Sequence, residues 1–283
     1  MGEVYKARDT RLNRIVAIKV LPMSVYPDSK LKARFEREAR VISNLSHPNI
    51  CALHDIGHQE NLDFLVMEYL DGETLANRIA KGPIPVEQVL QYGIQIADAL
   101  DKAHHHKIIH RDLKPQNIMI TKSGLKLLDF GLAKWNEPTS EGAESELSTR
   151  EHSLTSDGLV IGTLQYMAPE QLEAKEVDER ADIFALGVIL YEMITGDRLF
   201  GGASKAALVA SILSSEPKRL TSVPPLLNHI IFKCLAKNPE DRWQCAHDLS
   251  VQLKWIADSG LQPAVTVQKG KRTALYERLA WIL

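Results

Sequence analysis

The chain is poor in the features that mark several protein classes. It has only three cysteines, Cys51, Cys234 and Cys245, with no C-x-x-C spacing. Such scatter argues against both a zinc site and a disulfide framework and fits a reducing compartment. No apolar run reaches the roughly 18 residues that a membrane span needs. Met1 leads directly into charged, strand-like sequence rather than a secretory leader, and there is no internal repeat. Charge of one sign is also lacking: the formal net charge of -2 gives no reason to expect nucleic acid or a strongly anionic surface as partner.

What remains is an ordinary globular composition, 45% hydrophobic and 25% charged over 283 residues, enough for two lobes sharing one cleft. The first part reads as strand-rich. Ile15 to Leu21 is an apolar, β-branched run stopped by Pro22, and Ile50–Ile56 and Phe64–Glu68 are two further candidate strands. Ser29 to Asn44 carries Leu31, Phe35, Ala39 and Ile42 at the spacing of an amphipathic helix. Beyond the turn at Asp71-Gly72 the pattern becomes helical, at Val86–His106, Val177–Thr195, Leu226–Ala236 and Ala246–Ala257. The second of these is apolar nearly all round, the mark of a buried helix. The fold class expected is therefore α+β: a small β-rich lobe over residues 1–70 and a larger helical lobe over 71–258, with a basic linker at 259–283. Ligands favour the cleft between such lobes. A Glu-, Ser- and Thr-rich stretch from Asn136 to Ser156 reads as a mobile loop.

One ordered pair of motifs carries the chemistry. His110-Arg111-Asp112-Leu113-Lys114-Pro115-Gln116-Asn117 is followed by Asp129-Phe130-Gly131. These place two acids, a lysine and an asparagine on neighbouring short segments, the set needed to hold Mg²⁺-nucleotide beside a hydroxyl nucleophile. With them the sequence resembles the Ser/Thr protein kinase family over about Met1 to Trp255, and is most similar to the bacterial kinases of eukaryotic type.

The resemblance implies a role for each matching residue. Lys19, in Val16-Ala17-Ile18-Lys19, would contact the α- and β-phosphates of ATP, with Glu38 as its partner on the helix. Asp112 would accept the substrate hydroxyl proton, and Lys114 would lie near the γ-phosphate. Asn117 and Asp129 would hold Mg²⁺ through oxygen atoms, as a hard cation requires. Met67-Glu68-Tyr69-Leu70 matches the hinge, where Met67 would guard the pocket and the backbone of Glu68 and Leu70 would meet the adenine edge. Val4, Ala17 and Met119 fit the apolar sandwich around the ring, although such residues serve equally as plain core. Gly162-Thr163 and Ala168-Pro169-Glu170 close the activation segment, Thr163 facing the substrate hydroxyl. Arg111 implies control by phosphorylation of that segment in trans, with Thr155 and Ser156 as first candidates and Thr149 and Ser153 behind them. Asp182 and Arg242 match structural anchors, the first tying down the catalytic loop and the second pairing with Glu170. His104-His105-His106 suggests a metal, but consecutive residues do not face one another on a helix.

The sequence departs from the family at both ends. Of the phosphate loop G-x-G-x-x-G-x-V only Gly2 and Val4 remain; the first strand and first two glycines are missing. The expectation is a start within a longer gene product, with weak turnover until upstream residues are restored. A non-catalytic scaffold that keeps the fold without turnover is the alternative; a small-molecule kinase is disfavoured by the long activation segment. At the other end Lys269, Lys271 and Arg272 lead to Arg278-Leu279-Ala280-Trp281-Ile282-Leu283. This resembles the cytoplasmic flank of a membrane span beyond residue 283, or else a short terminal helix packing on the large lobe. Protein substrates with Ser or Thr acceptors, and a cytoplasmic location, are the partner and placement implied.

Overall fold

The computed structural model describes residues 3–21, 36–37, 39–59, 62–130, 164–221 and 223–259. Glu38, Gly131, Thr163, the Asn136 to Ser156 stretch with its candidate phosphosites, and the basic tail from Gly260 to Leu283 lie outside the described residues.

The small lobe is built on an antiparallel sheet of β1 (Val4–Asp9), β2 (Arg14–Val20), β3 (Leu53–Gln59) and β4 (Leu62–Glu68), ordered β1-β2-β4-β3. β2 sits inside because its Val16 and Ala17 are buried, at 2% and 8% exposure. β1 lies at an edge of this sheet among the described residues, with Val4 and Tyr5 exposed. Residues 36–37 and 39–43 are helical, within the expected Ser29 to Asn44 helix, and bury Ala39 and Ile42.

The strand expected at Ile50–Ile56 begins instead at Leu53. Ile50 is as buried as a strand residue, at 2%, but its backbone neighbours are recruited from below. Leu127 N–H donates to the Asn49 carbonyl and Cys51 N–H to the Leu127 carbonyl, each at 2.9 Å, so residues 49–52 strap one lobe to the other.

In the large lobe, α1 (Leu75–Ile79) is capped by Thr74, whose hydroxyl accepts the Asn77 N–H. It follows β5 (Gly72–Thr74), which pairs with β6 (Ile118–Thr121), itself paired with β7 (Gly124–Leu127). α2 (Val86–His105) turns Val89, Leu90, Ile96 and Leu100 inward and carries Lys102 in its last turn, a cation that suits the negative end of the helix dipole. After the short α3 (Pro169–Leu172) comes α4 (Arg180–Thr195), buried on every side. Its Ile183, Phe184, Leu186, Ile189 and Leu190 are at 0% exposure, each contributing on the order of 2 kcal/mol by burial. α4 stops at Gly196, whose φ of 75° closes the helix in the left-handed conformation. It starts three residues later than Val177 because the Asp178 carboxylate takes the Arg180 N–H at 2.9 Å, ending the preceding turn. α5 (Lys205–Ser214), α6 (Pro225–Cys234) and α7 (Ala246–Asp258) complete the lobe, with α4 packed against α2 and α6 and α7 laid along α2. No helix among the described residues is long and apolar enough to cross a membrane.

Candidate active site

The catalytic loop hangs from one buried acid. Asp182, in the first turn of α4 and 1% exposed, accepts the His110 N–H at 2.8 Å and the Arg111 N–H at 2.9 Å; the His104 ring nitrogen Nε2 lies 2.8 Å from the same carboxylate. Burial alone would push this carboxyl up, but the His104 hydrogen bond, the nearby imidazoles and the backbone donor outweigh it and hold the group below the usual range. Arg111 is thereby kept at a φ of 61°, a conformation that non-glycine residues rarely adopt. The three consecutive histidines are used separately. His104 holds Asp182, while His105 and His106 bond the helix carbonyls of Asp101 and Lys102.

From this support the polar residues converge. Lys114 Nζ lies 2.7 Å from Asp112 Oδ2. Asn117, 3% exposed at the mouth of β6, donates its side-chain N–H to the Asp112 carbonyl at 2.9 Å and to Asp112 Oδ2 at 3.1 Å. Its own carbonyl accepts the Leu128 N–H at 2.8 Å, which sets Asp129 one residue further along; Asp129 has a φ of 54°. Lys19 Nζ, reaching down from β2, meets Asp129 Oδ2 at 2.6 Å, with both side chains under a fifth exposed. The sequence-expected partner of Lys19, Glu38, is outside the described residues, and within them the lysine bridges the lobes to Asp129. His110 locks the same corner, its Nε2 bonding the Leu128 carbonyl at 2.9 Å and its ring tilted against Phe130 at 4.7 Å.

The expected adenine-site residues fall on β1, β2, β4 and β6 and on the segment after β4. Val4 is 59% exposed and pairs in register with Lys19, so it is not core. Ala17 is buried and pairs with Met67, which packs on the core at the end of β4. Met119, on β6, pairs with Lys126 of β7. Glu68 spends its N–H on the Ala52 carbonyl at 2.9 Å. Its side chain, which sequence reasoning left without a role, meets Lys126 Nζ at 2.8 Å and ties hinge to β7. Leu70 comes two residues after β4, on the crossing to β5.

Below the loop the second anchor is in place. Arg242, fully buried, forks onto Glu170 with two bonds of 2.7 Å and also bonds the Ala236, Lys237 and Arg180 carbonyls. Beside it Tyr166 donates its hydroxyl to Glu192 Oε2 at 2.7 Å. This buried pair was not anticipated, although a glutamate inside the apolar run from Ile183 to Ile194 was its signal.

Two carboxylates, an asparagine and a cleft-spanning lysine are thus linked in one polar network. The comparisons with known proteins agree with that geometry. The protein kinase domain matches residues 1–256. The chain belongs to the protein kinase family. It is 38% identical over 94% of its length to a probable serine/threonine-protein kinase of Clostridium perfringens, and 39% identical over 89% to the serine/threonine-protein kinase PknB of Mycolicibacterium smegmatis. It spans about two fifths of these curated relatives, 38% and 40% of their lengths. Among solved structures it resembles the PknI kinase domain of Mycobacterium tuberculosis, with a TM-score of 0.69 and 27% identity over 92% of each chain. The two-lobed α+β kinase fold expected from the sequence is the fold found. The family uses ATP and Mg²⁺, and kinase-named relatives give the scaffold alternative no support.

Proposed function

We propose that this chain transfers the γ-phosphoryl group of ATP to serine and threonine hydroxyls of protein substrates. The observation that carries the reading is the clasp of Asp112 by Lys114 and Asn117, joined through Leu128 to Asp129 and across the cleft to Lys19. Asp112 orients the acceptor hydroxyl and takes its proton. Lys114 and Lys19 offset charge on the phosphoryl oxygens, and positioning with electrostatics supplies most of the rate. The donor set fits Mg²⁺: Asn117 spends its N–H on Asp112, leaving its amide oxygen as the second hard ligand beside the Asp129 carboxylate. Held by Asn117 and Asp129, that ion would supply positive charge to offset the phosphates.

The finer assignments belong to the same proposal. The backbone of Glu68 and Leu70 meets the adenine edge, with Met67, Val4, Ala17 and Met119 around the ring. The roles of Glu38 as partner to Lys19 and of Thr163 on the acceptor side are those the family resemblance implies. Phosphorylation of the activation segment in trans regulates the enzyme, with exposed Arg111 beside Asp112 as the group that reads the added charge. The test is phosphoryl transfer from labelled ATP to dephosphorylated casein, alongside Asp112→Asn. Wild-type turnover with about a 10²–10⁴-fold loss in the variant is expected. Undiminished transfer by Asp112→Asn would refute the assignment.

A further inference from the structure

Gln171 is the third holder of the catalytic loop, and nothing in the motif pattern singles it out. It sits in α3 and lines a small cavity with Arg111, Asp112, Tyr166 and Met167. Its amide is used at both ends. The oxygen accepts the Ala168 N–H at 3.0 Å, and the nitrogen donates to the Arg111 carbonyl at 3.1 Å.

The Arg111 peptide matters because of where it stands. Its N–H is already fixed to Asp182 at 2.9 Å, its φ is 61°, and its carbonyl belongs to the peptide leading into Asp112. An uncommon left-handed residue persists only where its surroundings hold it there. Asp182 holds one side of this residue from inside the core, and Gln171 holds the other from α3. Rotation of the Arg111–Asp112 peptide would swing the Asp112 carboxylate away from Lys114 and Asn117. A misplacement on the order of 1 Å can cost 10²-fold in an oriented reaction.

We infer that Gln171 is a positioning residue: through the Arg111 carbonyl it sets the direction of the Asp112 carboxylate and couples it to α3. The inference rests on the kinase reading above. Two variants separate it from a mere helix cap. Gln171→Glu keeps an oxygen for the Ala168 N–H but cannot donate to the Arg111 carbonyl at neutral pH. Gln171→Met loses both bonds at similar volume.

With Mg²⁺-ATP and dephosphorylated casein, both variants should lose about five- to tenfold in kcat, the size of one hydrogen bond. Their KM for ATP and melting temperature should stay at the wild-type values. Wild-type kcat in Gln171→Glu would overturn the inference and leave Gln171 as a cap. So would a loss that appears only in the KM for ATP or in melting temperature. A wild-type chain that transfers no phosphoryl group even with upstream residues restored would instead strike the kinase reading itself.

Discussion

Glu192 shows how one residue makes a fold pH-sensitive. Its carboxyl is 4% exposed on α4, and burial pushes it up to about 7 against the opposing pull of the Tyr166 hydroxyl and the Arg198 charge. Between its ordinary range and that raised value the folded state holds a proton that the unfolded state releases. Stability therefore falls as pH rises from about 4.5 to about 7, and is level in this respect above it. Glu192→Gln, which cannot titrate, should melt above the wild type at pH 8, and the gap should close toward pH 5. A gap of the same size at both pH values would show that the carboxyl does not titrate here. The same scale separates Asp182 from Asp112. The first is buried, fully engaged and supportive; the second is held at its edges with its carboxylate in the cleft.

Among elements, α4 is the pillar, and its tightest contact is a glycine. A Cβ built at Gly187 would stand 2.6 Å from the Cys234 Cβ of α6 and 3.2 Å from the Leu235 side chain. Neither neighbour is a flexible tip, so Gly187→Ala should cost about 1–3 kcal/mol by forcing α4 and α6 apart. Denaturant unfolding would read this as a lower midpoint with unchanged slope. Elements of strong period were legible in advance: α2 and α7 lie within a residue of their expected limits, and α4 is recognisable as buried from composition alone. The β5–β6–β7 strands and α1 were not, because strands of three or four residues and a single helical turn carry too little periodicity. The late start of β3 was hidden for a different reason. Ile50 is apolar and buried like a strand residue, but the backbone around it is captured by Leu127, some 77 residues away in sequence.

At the scale of the whole molecule, the polar ties between the two lobes among the described residues include Lys19 to Asp129, Glu68 to Lys126, and the strap at residues 49–52. A ligand that fills the cleft should add to them. At a hundredfold excess over Kd, a non-hydrolysable ATP analogue with Mg²⁺ should stabilise the chain by about 2.7 kcal/mol, or roughly 5–10 °C in Tm. Removing Mg²⁺ with EDTA, or substituting Asp129→Ala, should erase most of that gain. Equal shifts in wild type and Asp129→Ala would argue that Asp129 takes no part in holding the nucleotide.

The ordered motifs around Asp112 and Asp129, with Lys19 upstream, determined the family and its chemistry from the sequence alone, because those residue types at those spacings serve few other purposes. Beyond the Asp182 and Arg242 anchors that the motifs already implied, the groups that support that chemistry were decided by the tertiary structure. Gln171 beside the loop, Tyr166 on Glu192 and Lys126 on Glu68 are pairings between residues 26 to 60 positions apart. A hydrogen bond has a reach of about 3 Å in space and leaves no period along the chain, so it becomes visible only when packing brings its partners together.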